Sequence, residues 1–279
     1  MRWSGLRLSV TLLTVIPWRD AVRLPPAAAP TDPPVKPLDR ATVAAAMAWA
    51  PAVGLLLGVI AAAVLVLVDH PLGAGPFTGA VLSVAALALL TRGLHLDGLA
   101  DLADGLGSGQ PAATALDIMR RSDIGPFGTV TLVLVLLTQV AALAHAEAEG
   151  DGRGPAALIA AVVTGRLALT WACRRGVGAA RREGLGALVA GTVRPVIPAV
   201  VTLAVLAAAA GAVAVSAAVI GEPLGWSLPA AIAAGLVAGF VLQRHAVRRL
   251  GGITGDVLGA IIEIAATVAL AVAAMGPRA

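Results

Sequence analysis

Three aspartates, Asp97, Asp101 and Asp104, fall within eight residues in the stretch LHLDGLADLADGLGSG, residues 94–109. On a helix they project at about 0°, 40° and −20°, so the three carboxylates share one stripe roughly 60° wide. Like charges crowded at a membrane boundary repel one another and resist desolvation, and a cation is expected among them. No arginine lies between Arg92 and Arg120. Hard oxygen ligands without Cys or His at ligand spacing favour Mg²⁺ over zinc or copper. His95 adjoins the stripe but projects away from it, as a substrate contact or as packing. Gly93, Gly98, Gly105, Gly107 and Gly109 allow the close backbone approach that suits phosphate. The plainer reading is a solvated loop whose aspartates cap helices; three acids on one face weigh against it.

A second acidic pair lies in GGITGDVLGAIIEI, residues 251–264. Asp256 and Glu263, seven residues apart, share a helix face, and Glu263 falls inside an apolar run, where an ionisable residue is a functional candidate. The expectation is that Asp256 joins Asp97, Asp101 and Asp104 in a shared metal site. The third polar island is RREGLG, residues 181–186. Arg181 and Arg182 are suited to neutralising substrate phosphates, with Glu183 beside them and Gly184 and Gly186 opening access to backbone N–H groups. Carboxylate-held Mg²⁺ facing a basic, glycine-containing loop is equipment for phosphoryl or phospho-alcohol transfer.

The elements that must position these residues are apolar helices. The 279-residue chain is 58% hydrophobic and 13% charged, with a mean hydropathy of +0.91. Its repeated apolar runs exceed what a soluble core of this size absorbs. An all-α, polytopic transmembrane bundle is expected, with seven spans at 42–68, 76–91, 124–145, 155–173, 195–220, 228–243 and 257–275. Residues 1–16 are too short to span and predict an interfacial or re-entrant helix. Six prolines in residues 24–38 make a polyproline-like connector. The chain thus reads as an N-terminal arm, 1–41, and one membrane domain, 42–279, with cytoplasmic loops at 92–123, 174–194 and 244–256. Seventeen of the 20 Lys and Arg fall on one side of this arrangement. That asymmetry places the N-terminus and these loops in the cytoplasm, and explains the positive charge without a nucleic-acid partner. Cys173 stands alone, so neither a disulfide framework nor a thiolate metal site is expected. Gly54 with Gly58 and Gly235 with Gly239 have the spacing of close helix packing.

LHLDGLADLADGL, taken with PAVGLLLG at 51–58, ARREGLG at 180–186 and GGITGDVLGAIIE at 251–263, closely resembles the cobalamin synthase family, adenosylcobinamide-GDP ribazoletransferase. The resemblance runs from LLTVIP near the N-terminus to the last span. It implies a Mg²⁺-dependent enzyme of the bacterial cytoplasmic (inner) membrane, with its active site facing the cytoplasm. There the hydroxyl of α-ribazole, or of its 5′-phosphate, attacks the phosphorus next to cobinamide in adenosylcobinamide-GDP and expels GMP. Carried onto matching positions, Asp97, Asp101 and Asp104 would hold the metal. Asp256 and Glu263 would complete the site or supply the base. Where many members read E-I-M-x-D-S-R-hydrophobic-G, this chain reads DIMRRSDIGPFG over 117–128. Asp117 replaces the glutamate, and Arg121 and Asp123 exchange acid and base, so these three are expected as substrate contacts. The resemblance leaves open a homo-oligomer or association with other cobalamin-assembly enzymes.

Three rival readings use the same residues. CDP-alcohol phosphotransferases share D-G-x-x-A, but Asp101 occupies the position where they carry Arg. Aspartate-rich membrane prenyltransferases would want a second D-x-x-x-D, where this chain offers G-D-x-x-G-x-x-x-E. An ion-coupled transporter would use the acids as a relay, but only Glu263 falls near a membrane midplane.

Overall fold

The computed structural model describes residues 2–16, 38–220 and 227–275. The proline-rich connector, apart from Leu38, lies outside the described residues. Those residues form eleven α-helices: α1 Arg2–Leu13, α2 Arg40–Asp69, α3 Pro76–Leu90, α4 Leu94–Gly107, α5 Ala112–Ile118, α6 Pro126–Ala148, α7 Arg153–Ala172, α8 Gly184–Val189, α9 Val196–Ile220, α10 Ser227–Leu250 and α11 Gly255–Ala274. Helices satisfy every backbone group within one segment, which is what an apolar solvent requires.

Six of them, α2, α6, α7, α9, α10 and α11, are long and apolar enough to cross a membrane. The 15-residue α3 reaches that measure only together with α4, from which it is bent by 88°. All seven expected spans therefore correspond to helices, the second being the short one. The sixth is longer than expected. The segment QRHAVRRL continues α10 to Leu250, because its residues are mostly good helix formers and Arg248 and Arg249 complement the negative C-terminal dipole. The expected loop 244–256 shrinks to residues 251–254. The loops 92–123 and 174–194 also carry helices of their own, α4 and α5 in the first and α8 in the second.

The expected glycine pairs lie at helix crossings. A Cβ on Gly54 would meet the Val162 carbonyl oxygen of α7 at 3.0 Å, and one on Gly58 would meet the Ile159 Cα at 3.1 Å. On α10, a Cβ on Gly235 would meet the Ala265 carbonyl oxygen of α11 at 2.5 Å, and one on Gly239 would meet the Ala168 Cβ of α7 at 3.1 Å. Helices α2, α7, α10 and α11 thereby pack with their backbones close together, the usual solution where lipid offers no hydrophobic drive. Short α1 buries Leu8 and Val10, and Gly5 rests against Ala45 of α2. At 12 residues it does not span, as expected.

Candidate active site

Helix α4 carries the aspartates, and two residues with positive φ set its direction. Arg92 (φ 55°) and Gly93 (φ 66°) end α3 in the left-handed region and turn the chain through the 88° bend. Helix α4 then runs across the first turns of two spans instead of continuing as one. Near its start, Gly259 of α11 lies under the His95 backbone, and a Cβ on Gly98 would lie 2.9 Å from the Asp256 Cα. Further on, a Cβ on Gly128 of α6 would lie 2.9 Å from the Ala100 carbonyl oxygen. These glycines bring the aspartate helix down onto the N-termini of α6 and α11.

This arrangement separates the three aspartates of the stripe. Asp97 is exposed and Asp101 half-buried, while Asp104 is buried and turned to the start of α6. Its two carboxylate oxygens accept hydrogen bonds from the Gly125 N–H at 2.8 Å and the Gly128 N–H at 2.9 Å. Asp104 thus caps a helix N-terminus, a position that favours a negative side chain. The 100° period puts it on the stripe, but its partners are 21 and 24 residues away in sequence.

Asp256, in the first turn of α11, takes the place beside Asp97 and Asp101. Its carboxylate accepts from the Thr254 hydroxyl at 3.2 Å and stands 3.7 Å from the Arg181 guanidinium. Burial, then the nearby charges of Asp97, Asp256 and Asp104, push the Asp101 carboxyl up to about 7, against an opposing pull from Arg181. The acids outnumber the one guanidinium among them, so the donor set suits a divalent cation bound by oxygen. The carboxylates remain spread, however. Among the described residues, three potential ligand atoms come within 4.8 Å of one another only at Asp69, His70 and Glu147, at the opposite end of the bundle.

Arg181 ties the site together. Besides facing Asp256, its Nη2 donates to the Leu116 carbonyl of α5, and its Nε is buried with no hydrogen-bond partner among the described residues. A buried guanidinium N–H left over beside a carboxylate cluster is a donor available to an oxyanion. The loop holding Arg181 is fixed by backbone pairing: Ile253 N–H donates to Gly178 O at 2.9 Å and Ala180 N–H to Ile253 O at 3.0 Å. A Cβ on Gly186 would lie 2.6 Å from the Ile253 carbonyl oxygen, so that glycine serves close packing of α8. Gly184 has φ +86° and starts α8, while Arg182 and Glu183 are exposed beside it. Asp117, Arg121 and Asp123 are exposed on α5 and the turn into α6, and among the described residues no ion pair joins them.

Glu263 lies elsewhere. Seven residues beyond Asp256, it sits about 10 Å further along α11. It accepts from Gln139 at 3.0 Å and stands 3.8 Å from His95 Nδ1. Arg166 of α7 approaches the same Nδ1 at 3.4 Å. A guanidinium only donates, so His95 Nδ1 faces Arg166 as the acceptor, in the tautomer that carries its proton on Nε2. Arg166 and Gln139 were not singled out from sequence. The signal was present in Arg166, a basic residue inside an apolar span, which calls for a partner. A mainly apolar cavity of about 160 Å³ lies beside the aspartates, reached by Asp97 and Asp256 and walled by Leu12, Leu13, Met47 and Ile262.

The family model of cobalamin-5-phosphate synthase matches residues 5–274. The chain belongs to that family. It is 42% identical to an adenosylcobinamide-GDP ribazoletransferase of Frankia casuarinae, over 96% of this chain and 94% of the relative. An enzyme of the same name from Nocardioides sp. is 38% identical over 89% and 93% of the two chains. Another, from Desulforamulus reducens, is 31% identical over 95% and 94%. No solved structure matches the chain. As a cobalamin-5-phosphate synthase family member, the protein is a transferase built into a bundle of membrane helices. Its matched region takes in α4, α11 and the Arg181 loop.

Proposed function

We propose that the protein transfers the phosphocobinamide group of adenosylcobinamide-GDP to a hydroxyl of α-ribazole or its 5′-phosphate, releasing GMP. The observation that carries this reading is the meeting of Asp97 and Asp101 of α4, Asp256 of α11 and Arg181 at one end of the bundle, in a chain of this family. Asp97, Asp101 and Asp256 would hold Mg²⁺, with Asp104 committed to α6. When bound, Mg²⁺ supplies charge stabilisation to phosphoryl oxygens and the leaving group. Arg181 offers its unsatisfied Nε–H to the same oxygens. A carboxylate of the cluster accepts the proton as the acceptor hydroxyl forms its P–O bond and the bond to GMP breaks. The 160 Å³ recess beside Asp97 and Asp256 receives an apolar part of a substrate. Basic residues of the intervening loops share the aspartate end, which supports a cytoplasm-facing active site in a protein of the bacterial inner membrane.

Detergent-purified protein is expected to convert adenosylcobinamide-GDP and α-ribazole 5′-phosphate to GMP and a joined corrinoid, read by mass spectrometry. Product should require Mg²⁺, disappear in EDTA and fall by at least about 100-fold in Asp97→Asn and Asp101→Asn. Full turnover by folded variants, or by wild type in EDTA, would remove the aspartates or the metal from the reaction.

A further inference from the structure

The end of the bundle opposite the aspartates holds a second concentration of ligand atoms. Asp69 is the last residue of α2, His70 caps that helix, and Glu147 lies in the last turn of α6. One potential ligand atom from each lies within 4.8 Å of the others. Both carboxylates stand at helix C-termini, where the backbone is itself negative, so each helix end raises the cost of the acid it carries. Glu147 is moreover buried, its side chain 4% exposed. Among the described residues its carboxylate accepts no hydrogen bond, and its ion-pair partner is His70, Nε2 to Oε1 at 3.5 Å. A buried carboxylate beside a second one, both at negative helix ends, calls for a stronger cation than an imidazole that is 68% exposed.

Room for this carboxylate is built into the backbone. Gly154, at the start of α7, is where a Cβ would fall 2.1 Å from Glu147 Oε2, so any larger residue would expel the side chain from its place. The spacing is also informative. Ligand atoms about 2.1 Å from a tetrahedral ion lie about 3.4 Å apart, which the 3.5 Å between His70 Nε2 and Glu147 Oε1 matches.

We infer that Asp69, His70 and Glu147 form a site for one divalent transition-metal ion of the zinc type, with water completing the coordination. An imidazole with two carboxylates favours such an ion over Mg²⁺. Because the ligands come from α2 and α6, the ion fastens the α2–α3 turn to the α6–α7 turn, about 30 Å along α6 from the aspartates. The inference stands apart from the transferase reading.

The test uses the full chain in detergent, stripped with chelator and titrated with Zn²⁺ alone by calorimetry and thermal unfolding. One equivalent that is absent from His70→Ala should bind, and the unfolding midpoint should rise by about 5–10 °C at a hundredfold excess over Kd. His70→Ala, at an exposed position whose loss does not threaten folding, and Glu147→Gln should each abolish that rise. Asp97→Asn should retain it, which separates this site from the aspartate cluster. Absence of zinc binding by wild type, or a rise undiminished in His70→Ala, would overturn the assignment.

Discussion

Asp101 shows how a single side chain reports on the charges around it. Its carboxyl is lifted from 3.8 to about 7, so between those values the folded chain holds a proton that the unfolded chain has released. Folding stability contributed by this residue is therefore undiminished below about pH 4, falls as pH rises toward 7 and is lowest above it. A shift of that size corresponds to about 4 kcal/mol. Solvent screening at a half-exposed side chain reduces the effect to about 1 kcal/mol. Asp101→Asn in EDTA should raise the unfolding midpoint at pH 8 by about 2–4 °C and leave it unchanged at pH 4. A variant no more stable than wild type at pH 8 would mean that the carboxylates do not burden one another. Asp101 was legible in sequence because its neighbour on the stripe, Asp97, is one helical turn away. The role of Asp104 was not, since its carboxylate is claimed by the Gly125 and Gly128 N–H groups of another helix.

At the scale of elements, the site depends on how closely α4 lies on α11. Gly98 permits that approach: a Cβ there would meet the Asp256 Cα and carbonyl oxygen, both at 2.9 Å. These are backbone atoms at the start of a long helix, and they cannot move aside as a flexible side chain would. Gly98→Ala should therefore shift α4 by a few tenths of an ångström or more and cost about 1–3 kcal/mol. Because Asp97 and Asp101 move relative to Asp256, turnover by the folded fraction should fall about 10- to 100-fold. Unfolding and single-turnover rates measured on the same preparation separate the two effects, and an unchanged rate would detach the α4–α11 contact from catalysis. The spans themselves were legible, since apolar length alone marks them. The path of α4 was not, because LHLDGLADLADGLG has a helical period wherever it lies, and only the Arg92–Gly93 turn aims it across α6 and α11. The same limit hid the partnership of His95, Arg166 and Glu263, which come from three helices.

For the whole molecule, the helix order assigns each end of the bundle to one side of the membrane. Arg175 follows α7 at the end that carries Asp256 and Arg181, and Ala148 closes α6 at the end that carries Asp69 and Glu147. Both positions are exposed, and the chain's single cysteine, Cys173, is fully buried, so a membrane-impermeant maleimide meets little background. The charge asymmetry predicts that Ala148→Cys is labelled in intact cells and that Arg175→Cys is labelled only after the membrane is opened. The two positions are separated by α7, whose 20 residues span about 30 Å. The predicted sidedness would therefore show α7 crossing the bilayer and the aspartates reaching the compartment that holds soluble nucleotide substrates. Labelling of Arg175→Cys but not Ala148→Cys from outside would leave the aspartate end on the wrong side for such substrates, and labelling of both from outside would mean that α7 does not cross.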